Sequence, residues 1–457
     1  MLRVFQMLTR TISEFLEKHF KTSNTALLIE GARQVGKTFS IREFGKKFKT
    51  FVEINFVEQP DAVSMFKNLS SSEDLLLRLS LFTDKKLIKG ETLIFFDEVQ
   101  LCHEVVTYIK FLVDEGSYKY ILSGSLLGVE INDLHSVPVG YLSVKRMYPL
   151  TFEEFILNLG IKSDIIKTLE VAFKDKKSVD EFVHKKMLEL FRLYLVVGGM
   201  PAVVNRYIES NNLSEVISIQ KQIVNLYKKD ISQYDRRNKL AIEQIFELIA
   251  PQLNCQNKRF IIKDLKAGIK FDRYENSFLW LKDAGVALPV YNIETPKMPL
   301  KLSKSRSLFK LFMNDVGILA SEYSQGIQLK IISGEDKINY GAIYENFIAQ
   351  ELTAKGHDLY YYNNKKRGEL DFVIEFEGNV LPIEVKSGKD YKVHRALSNI
   401  MNCDELSLNS AIIFNNSNLK ADGKLLYAPI YMAMFLKQNM CDQTIYKIDL
   451  SELNKRA

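Results

Sequence analysis

Three apolar runs stand out in the first 125 residues, at 26–29, 92–96 and 120–122. Unbroken apolar runs of this length are typical of strands that are buried on both faces of a parallel sheet. Each run ends at glycine, serine or acidic residues. The pattern predicts an α/β domain over residues 1–158.

The pattern then changes twice along the chain. Residues 163–250 are rich in Leu, Lys and Glu with few prolines, which predicts a helical lid over 159–250. Residues 259–315 suggest short helices followed by a hairpin, which predicts a winged-helix-like module over 251–330. Its functional interpretation is DNA binding, and the alternative is a packing module between its neighbours. The proposed DNA-binding face carries Lys263, Lys266 and Lys270, and we expect the basic stretch 301–310 in a loop.

Alternation with a period of two marks residues 369–374 and 380–386 as the arms of a β-hairpin, with a turn at 377–379. Because side chains alternate across a strand, Asp371, Glu384 and Lys386 share one face. Upstream, Glu345 lies in a stretch with helical apolar spacing. The alternative is that these charges only form the solvated face of a sheet.

Residues 31–38 read GARQVGKT directly after the first apolar run, which is the strand-to-helix setting of a phosphate-binding P-loop. Gly31 and Gly36 let backbone N–H groups surround phosphate oxygens, Lys37 supplies a charge to the β- and γ-phosphates, and Thr38 offers a hydroxyl to Mg²⁺. The pattern predicts ATP and Mg²⁺ as cofactors. The alternative is a chance match in a glycine turn that caps a helix.

Asp97 and Glu98 end the second apolar run, as the acidic residues of a Walker B strand do. We expect Asp97 to hold Mg²⁺, usually through water, and Glu98 to orient or deprotonate the attacking water. The alternative is that this acidic pair only caps the next helix. The Walker B interpretation is favoured because a P-loop precedes it in the same chain. The residues expected to contact the nucleotide are Gly31, Ala32, Arg33, Gln34, Val35, Gly36, Lys37, Thr38, Phe39, Asp97, Ser123 and Ser125.

The C-terminal set of Glu345, Asp371, Glu384 and Lys386 resembles the PD-(D/E)XK nuclease-like fold. The resemblance implies that Asp371 and Glu384 hold Mg²⁺ or Mn²⁺, and that Lys386 orients water or stabilises charge on a phosphate. Flanking cations suit phosphate contacts, namely Lys365, Lys366, Arg367, Lys389, Lys392, His394 and Arg395. A degenerate fold retained as a scaffold is an equal alternative.

Nearly the whole chain resembles prokaryotic ATPases of the AAA+ and STAND type that join an AAA-like P-loop domain to a C-terminal nuclease-like domain. Segments 148–155 (YPLTFEEF), 197–201 (VGGMP) and 227–231 (YKKDI) add to this resemblance. It implies a parallel P-loop NTPase sheet, a helical lid, a winged-helix module and an α/β PD-(D/E)XK nuclease-like domain over 331–457.

The same resemblance gives Ser123 or Ser125 the sensor position near the γ-phosphate, with a serine-rich loop as the alternative. One departure is Gly140-Tyr141, where a glycine followed by a basic residue is expected. No single arginine finger is assigned, and the candidates are Arg146, Arg206, Arg236 and Arg237.

Composition fits a soluble, cytoplasmic protein. The 457 residues are 46% apolar and 26% charged, and the net charge of +6 is compatible with an acidic partner such as nucleic acid. The four scattered cysteines indicate reduced thiols and no zinc site. Residues 5–20 predict an amphipathic helix instead of a signal peptide, and no apolar run is long enough to span a membrane.

Together these features predict Mg²⁺-dependent ATP hydrolysis coupled to a nuclease-like domain that binds or cleaves nucleic acid, DNA more than RNA. The alternative is a regulatory ATPase switch whose C-terminal domain is a non-catalytic binding scaffold. A kinase is disfavoured, because Glu98 suits the activation of water. A homo-oligomer is also compatible with the AAA-like pattern.

Overall fold

The structure is a computed structural model, and it describes residues 8–69, 71–124, 138, 140–234, 239–255, 258–265, 271–324, 326–335, 340–388, 390–438 and 448. The side chains of residues 233 and 234 are outside this description. Ser125, Lys266, Lys270 and Lys389, all singled out from the sequence, lie outside the described residues.

The N-terminal sheet contains only parallel pairs among its described strands, in the order β2-β3-β4-β1-β5. Alternate residues of one strand enter different cores, since Phe95 packs on one face and Phe96 on the other. The three apolar runs are therefore strands buried on both faces, as predicted. The strands are β1 (Ala26–Glu30), β2 (Thr50–Asn55), β3 (Thr92–Asp97), β4 (Lys119–Gly124) and β5 (Leu142–Arg146). The helices are α1 (Thr11–Thr22), α2 (Lys37–Gly45), α3 (Ser72–Phe82) and α4 (Glu104–Glu115).

Helices fill the next hundred residues, as the pattern predicts. A capping box between Thr151 and Glu154 starts the first of them, and Asp180 caps the third by accepting from the N–H groups of residues 182 and 183. The helices are α5 (Phe152–Asn158), α6 (Ser163–Lys174), α7 (Glu181–Val197), α8 (Pro201–Ser210), α9 (Leu213–Tyr234) and α10 (Lys239–Leu253).

No single helix among the described residues has the length and apolar character to cross a membrane. Helices α7 and α8, which meet at a bend of 120°, meet that test only as a pair and only by length and composition.

The second sheet is mixed and has the order β12-β13-β11-β10-β9-β8-β6-β7. Its strands are β6 (Ala287–Ile293), β7 (Lys304–Met313), β8 (Tyr360–Asn364), β9 (Gly368–Phe376), β10 (Asn379–Val385), β11 (Ala411–Asn415), β12 (Lys420–Asp422) and β13 (Leu425–Pro429). The accompanying helices are α11 (Glu275–Asp283), α12 (Val316–Ser321), α13 (Ile327–Ser333), α14 (Gly341–Ala354) and α15 (Arg395–Met401). Short 3₁₀ turns lie at Pro60–Phe66, Val99–Leu101, Ile262–Asp264, Phe271–Arg273, Leu300–Ser303, Asp404–Leu406 and Ile430–Phe435.

The β6–β7 hairpin belongs to this sheet, because β6 pairs in parallel with β8. Segments 251–330 and 331–457, predicted as separate units, thus share hydrogen-bonded strands. The loop expected at 301–310 was wrong from Lys304 onward, where β7 begins. The basic residues suggested solvent, but the half of β7 from Phe309 is buried against the core, with Lys310 only 1% exposed.

Buried polar contacts join α14 to the lid and to the segment that follows the N-terminal sheet. Gln350 accepts from the N–H of Val316 (2.7 Å) and donates to the hydroxyl of Tyr194 (2.8 Å), which donates to the carbonyl of Leu150. The next residue, Glu351, accepts from the N–H of Phe152 (3.0 Å). One helix therefore satisfies polar groups of the lid, of the segment before α5 and of the turn after β7.

The VGGMP segment packs directly on the YPLTF segment. The carbonyl of Gly199 accepts from the N–H of Leu150 (2.7 Å), and its own N–H donates to Asp315 (2.6 Å). A Cβ at Gly199 would lie 2.1 Å from the carbonyl oxygen of Leu150. Only glycine fits this contact without a shift of the backbone.

We therefore expect Gly199→Ala to destabilise the protein by about 3 kcal/mol, because the clash is with backbone atoms that cannot rotate away. The measurement is the midpoint of thermal unfolding. Gly388→Ala is the matched control, since a Cβ there meets nothing within 4 Å. Equal midpoints for the two variants would contradict the packing described here.

Candidate functional site

The P-loop connects β1 to α2, as its sequence predicts. Gly31 has φ +145° and packs so closely on Met147, the residue after β5, that a Cβ would lie 2.2 Å from its carbonyl oxygen. Gly36 immediately precedes α2 with φ +95°, in the left-handed region. Between them, Ala32 and Val35 are buried. The glycines of the motif thus lie where the backbone requires them.

Lys37 is buried at the start of α2. Its Nζ donates to the carbonyls of Gly31 (2.8 Å) and Ala32 (3.0 Å) within the loop itself. Burial lowers the pKa of Lys37 to about 8, and the nearby Glu98 and Asp97 only partly oppose this. A lysine with its ammonium turned into the loop is positioned to contact a phosphate that the loop encloses.

Asp97 connects the P-loop helix to three strands. Its carboxylate accepts from Thr38 Oγ1 (3.0 Å), from Asn55 Nδ2 (3.2 Å) and from Ser123 Oγ. The structure thus brings together Thr38, Asp97 and Ser123, which were predicted from separate motifs. A hydroxyl and a carboxylate at this distance are oxygen ligands of the kind that Mg²⁺ takes, so the residues fit this ion.

Glu98 leaves the strand at a sharp turn, with φ +56°. Its N–H donates to Asp97 Oδ1 (3.1 Å), and its side chain accepts from the amide of Gln100. This geometry directs the carboxylate at the same sheet edge as Lys37, whose charge it affects. Arg33, Gln34 and Phe39, also predicted to contact the nucleotide, are exposed.

Sequence reasoning missed Arg10, the residue before α1, which contacts the P-loop. Its guanidinium donates to the carbonyls of Val35 (3.1 Å) and Tyr148 (2.7 Å) and pairs with Glu154 (3.3 Å). Asn55 and Gln100, which hold the two Walker B carboxylates, were also missed. These are long-range or side-chain contacts that no local sequence pattern marks.

The YKKDI segment, whose role is not evident from the sequence, lies beside the P-loop. Asp230 on α9 forms an ion pair with Arg33. Burial raises the pKa of Asp230 and Arg33 opposes this rise. On the other side, Gly285 in the turn between α11 and β6 is so near that a Cβ would lie 3.0 Å from the N atom of Ala32. The P-loop therefore touches both the lid and the 251–330 segment.

The described arginine-finger candidates are engaged in ion pairs. Arg146 pairs with Glu30 (2.8 Å), and Arg206 pairs with Glu209 and Glu215 (both 3.4 Å). Arg236 and Arg237 lie outside the described residues.

The four predicted C-terminal residues converge from three elements. Glu345 lies on α14, Asp371 on β9, and Glu384 and Lys386 on β10 and just after it. Lys386 Nζ pairs with Glu384 (2.7 Å), and Asp371 Oδ2 accepts from the N–H of Val385 (2.8 Å). Glu384 Oε2 is buried without a hydrogen-bond partner.

Two further lysines enter this acidic cluster and were missed from the sequence. Lys310 Nζ on β7 lies 2.7 Å from Glu369 Oε1, 3.5 Å from Glu345 Oε2 and 3.9 Å from Asp371 Oδ1. Lys258 pairs with Glu345. The signal for Lys310 is its place in the apolar stretch 308–313, of which only residues 308–310 fall in the loop expected at 301–310.

Charges in the cluster shift each other. Burial opposes ionisation of Glu345, but Lys310 and Lys258 outweigh it and lower its pKa. Burial, with Glu384 and Glu345 adding to it, raises the pKa of Asp371 well above its ordinary value. Within the described part of the chain, no group of three or more His, Cys, Asp or Glu side chains has a metal-binding arrangement. The metal role of Asp371 and Glu384 stays a prediction.

Residues 23–156 match the family model of the AAA domain. This part of the chain is an AAA-like P-loop ATPase domain. Residues 188–327 match a domain of unknown function (DUF8612), and residues 340–431 match another domain of unknown function (DUF4143). No curated protein matches the chain.

Solved structures similar to the chain include the Walker-type ATPase PABY2304 of Pyrococcus abyssi, at 14% identity over 69% of this chain and 96% of that chain, with a TM-score of 0.42. The ORC1 protein of Aeropyrum pernix in complex with DNA has 11% identity over 72% of this chain and 94% of that chain, with a TM-score of 0.29. Cdc6p from Pyrobaculum aerophilum has 14% identity over 71% and 92%, with a TM-score of 0.25. At these TM-scores the three likenesses carry no further argument.

The buried Lys37 makes nucleotide binding sensitive to alkaline pH. A phosphate contact favours the ammonium form, so the pKa of Lys37 is higher in the complex than the value of about 8 in the free protein. Binding then takes up a proton above pH 8. We expect the dissociation constant for ATP to be flat below pH 8 and to rise by about tenfold per pH unit above it.

Calorimetric titration between pH 7 and 9.5 measures this change at fixed Mg²⁺. At pH 8.5, titrations in two buffers of different ionisation enthalpy give the proton uptake directly. A constant affinity across the range, without proton uptake, would contradict the assignment of Lys37.

Proposed function

We propose that the protein is an ATP-hydrolysing switch whose nucleotide state controls a C-terminal domain that binds nucleic acid. The observation that supports this proposal most strongly is the pair of hydrogen bonds that Asp97 accepts, from Thr38 at Oδ2 and from Ser123 at Oδ1. Glu98 and Lys37 lie close to the same carboxylate. These groups are the set that phosphoryl transfer from ATP to water requires at one sheet edge.

Each residue has a defined task in this proposal. Lys37 exchanges the carbonyls of Gly31 and Ala32 for the β- and γ-phosphates. Thr38 and Asp97 hold Mg²⁺, which neutralises charge on the phosphates when it is bound. Glu98, oriented by Gln100, accepts the proton of the attacking water.

Contacts of the P-loop support a route from nucleotide to C-terminal domain. Arg33 pairs with Asp230 of the lid, and Ala32 touches the turn at Gly285, which leads directly into β6. Because β6 and β7 belong to the C-terminal sheet, a shift of this turn moves strands next to β8. Binding or hydrolysis of ATP in the P-loop therefore shifts the C-terminal strands through the backbone contact between Ala32 and the turn at Gly285.

The fold proposed for the C-terminal domain is PD-(D/E)XK nuclease-like. The order α14-β8-β9-β10-α15-β11 supports it, with β8, β9 and β10 antiparallel and β11 parallel to β10. A winged-helix arrangement before it is supported by α10, α11, the β6–β7 hairpin and the antiparallel bridge between Arg259 and Lys310. Lys263, on its proposed DNA face, is exposed. Such modules bind duplex DNA, which favours DNA over RNA.

A basic surface supports the nucleic-acid partner. Lys365 and Lys366 are exposed in the β8–β9 turn, and Lys392 and Arg395 are exposed at the start of α15. The two groups are adjacent, because a Cβ on Gly368 would lie 2.6 Å from that of Ala396. Four cations on one small surface suit contacts with successive phosphates. Assembly into a homo-oligomer is compatible with this arrangement.

We expect Lys37→Ala to lose nucleotide binding and turnover, because the phosphates lose their charge partner, whereas Glu98→Gln retains binding and loses hydrolysis. Phosphate release and nucleotide binding are measured side by side. Lys46→Ala is the matched control, since Lys46 lies at the exposed end of the same helix and pairs only locally with Glu43. Turnover in Glu98→Gln at the rate of the unmodified protein would exclude Glu98 as the base.

For the partner, we expect the double variant Lys365→Ala/Lys366→Ala to weaken duplex DNA binding and to reduce the slope of log K against log salt by about 2. Lys185→Ala/Lys186→Ala on α7 removes the same charge from an exposed surface elsewhere. Fluorescence anisotropy over a salt series measures both. Identical slopes for the two double variants would show that the basic surface at β8–β9 is not the binding surface.

A further inference from the structure

An internal ammonium group lies in the acidic cluster that contains the predicted metal ligands Asp371 and Glu384. Lys310 Nζ approaches Glu369 (2.7 Å), Glu345 (3.5 Å) and Asp371 (3.9 Å) at once. The side chain is only 1% exposed, so its charge is balanced by these carboxylates and not by water. The face of Tyr361 adds a cation–π contact at 5.2 Å.

The position of Lys310 is fixed by the helix that carries Glu345. Asn346, the next residue of α14, accepts from the N–H of Met313 (2.8 Å) and donates to its carbonyl (3.1 Å). On the other edge, Phe260 donates its N–H to the carbonyl of Phe309 (2.9 Å). Lys310 is therefore held in the cluster by backbone contacts on both sides of it.

The charge balance leaves little room for a second cation. The ion pairs of the cluster join four carboxylates, those of Glu345, Glu369, Asp371 and Glu384, to three ammonium groups, those of Lys258, Lys310 and Lys386. At most one negative charge remains, when all four carboxyl groups are ionised. A divalent ion would therefore give the cluster a net positive charge and would lie beside a buried ammonium.

We propose that Lys310 takes the place of the divalent cation in this cluster, so that the C-terminal domain binds nucleic acid without metal-dependent cleavage. The binding of nucleic acid without cleavage rests on the proposed function, whereas the replacement of the cation by Lys310 does not. The donor set does not fit Mg²⁺ or Mn²⁺ while Lys310 is present, because Glu345 and Asp371, two of the carboxylates that such an ion would share, already face its buried ammonium group. Glu384 Oε2, buried and without a hydrogen-bond partner, is the oxygen that a metal would contact once Lys310 is removed.

The test is a titration of the nucleotide-free, full-length protein with Mn²⁺. Binding is measured as the decrease in the electron paramagnetic resonance signal of free Mn²⁺. We expect Asp371→Asn to leave the Mn²⁺ binding of the otherwise unmodified protein unchanged, because no Mn²⁺ binds at this cluster. Lys310→Met should gain one Mn²⁺ per chain, about tenfold or more tighter than any binding to the unmodified protein, and should lose it in Lys310→Met/Asp371→Asn. Lys258→Met is the matched control, because it removes the same charge and a contact with Glu345 but leaves Lys310 Nζ in place among Glu345, Glu369 and Asp371, and it should behave as the unmodified protein does.

Mn²⁺ binding to the unmodified protein that disappears in Asp371→Asn would overturn the proposal, even if Lys310→Met fails to fold. A folded Lys310→Met variant that gains no Mn²⁺ would overturn it as well. Cleavage of linear DNA by the unmodified protein with Mn²⁺, abolished by Asp371→Asn, would have the same meaning. ATP hydrolysis and DNA binding are assayed on the same preparation, so a failure of the proposed function appears there and is distinguishable from a failure here.

Discussion

The fold depends on polar side chains of α14 that are buried among backbone groups of other segments. Gln350 and Glu351 accept from the N–H groups of Val316 and Phe152, two fully buried residues. Burial raises the pKa of Glu351 to about 7, and its partner Lys355 lowers it only in part. The carboxylate of Glu351 is thus desolvated, which costs free energy, but it satisfies the buried N–H group of Phe152 where the ATPase domain contacts α14.

Asp315 has the same role on the opposite side. It accepts from the N–H groups of Gly199 and Ile318, and burial raises its pKa to about 6. Each of these side chains bridges segments that are more than a hundred residues apart in the chain or belong to different layers. Apolar packing accompanies these polar bridges, since the ring of Phe191 on α7 contacts that of Phe347 on α14.

Local chemistry made part of this architecture predictable. The P-loop, the Walker B strand and the hairpin that carries Asp371 and Glu384 each follow from short-range patterns in which glycine, apolar runs or alternation restrict the backbone. The coarse outcome, an AAA-like ATPase domain followed by α/β structure, agrees with the sequence. The side chains that surround each site could not be predicted from the sequence. Their contacts join residues that are far apart in the chain, as for Arg10, Asn55, Lys258 and Lys310. Lys310 was assigned to a loop because its charge suggested solvent, whereas three carboxylates from distant segments replace that solvent.

The parallel pairing of β6 with β8 limits how the chain can be divided. A fragment that begins after residue 330 lacks β6 and β7 and leaves the backbone N–H and C=O groups along one side of β8 without partners. Such an open edge pairs readily with any other extended strand, including that of an identical fragment. The C-terminal α/β part is thus completed by strands that precede it, and expression of that part alone would favour self-association through the edge of β8.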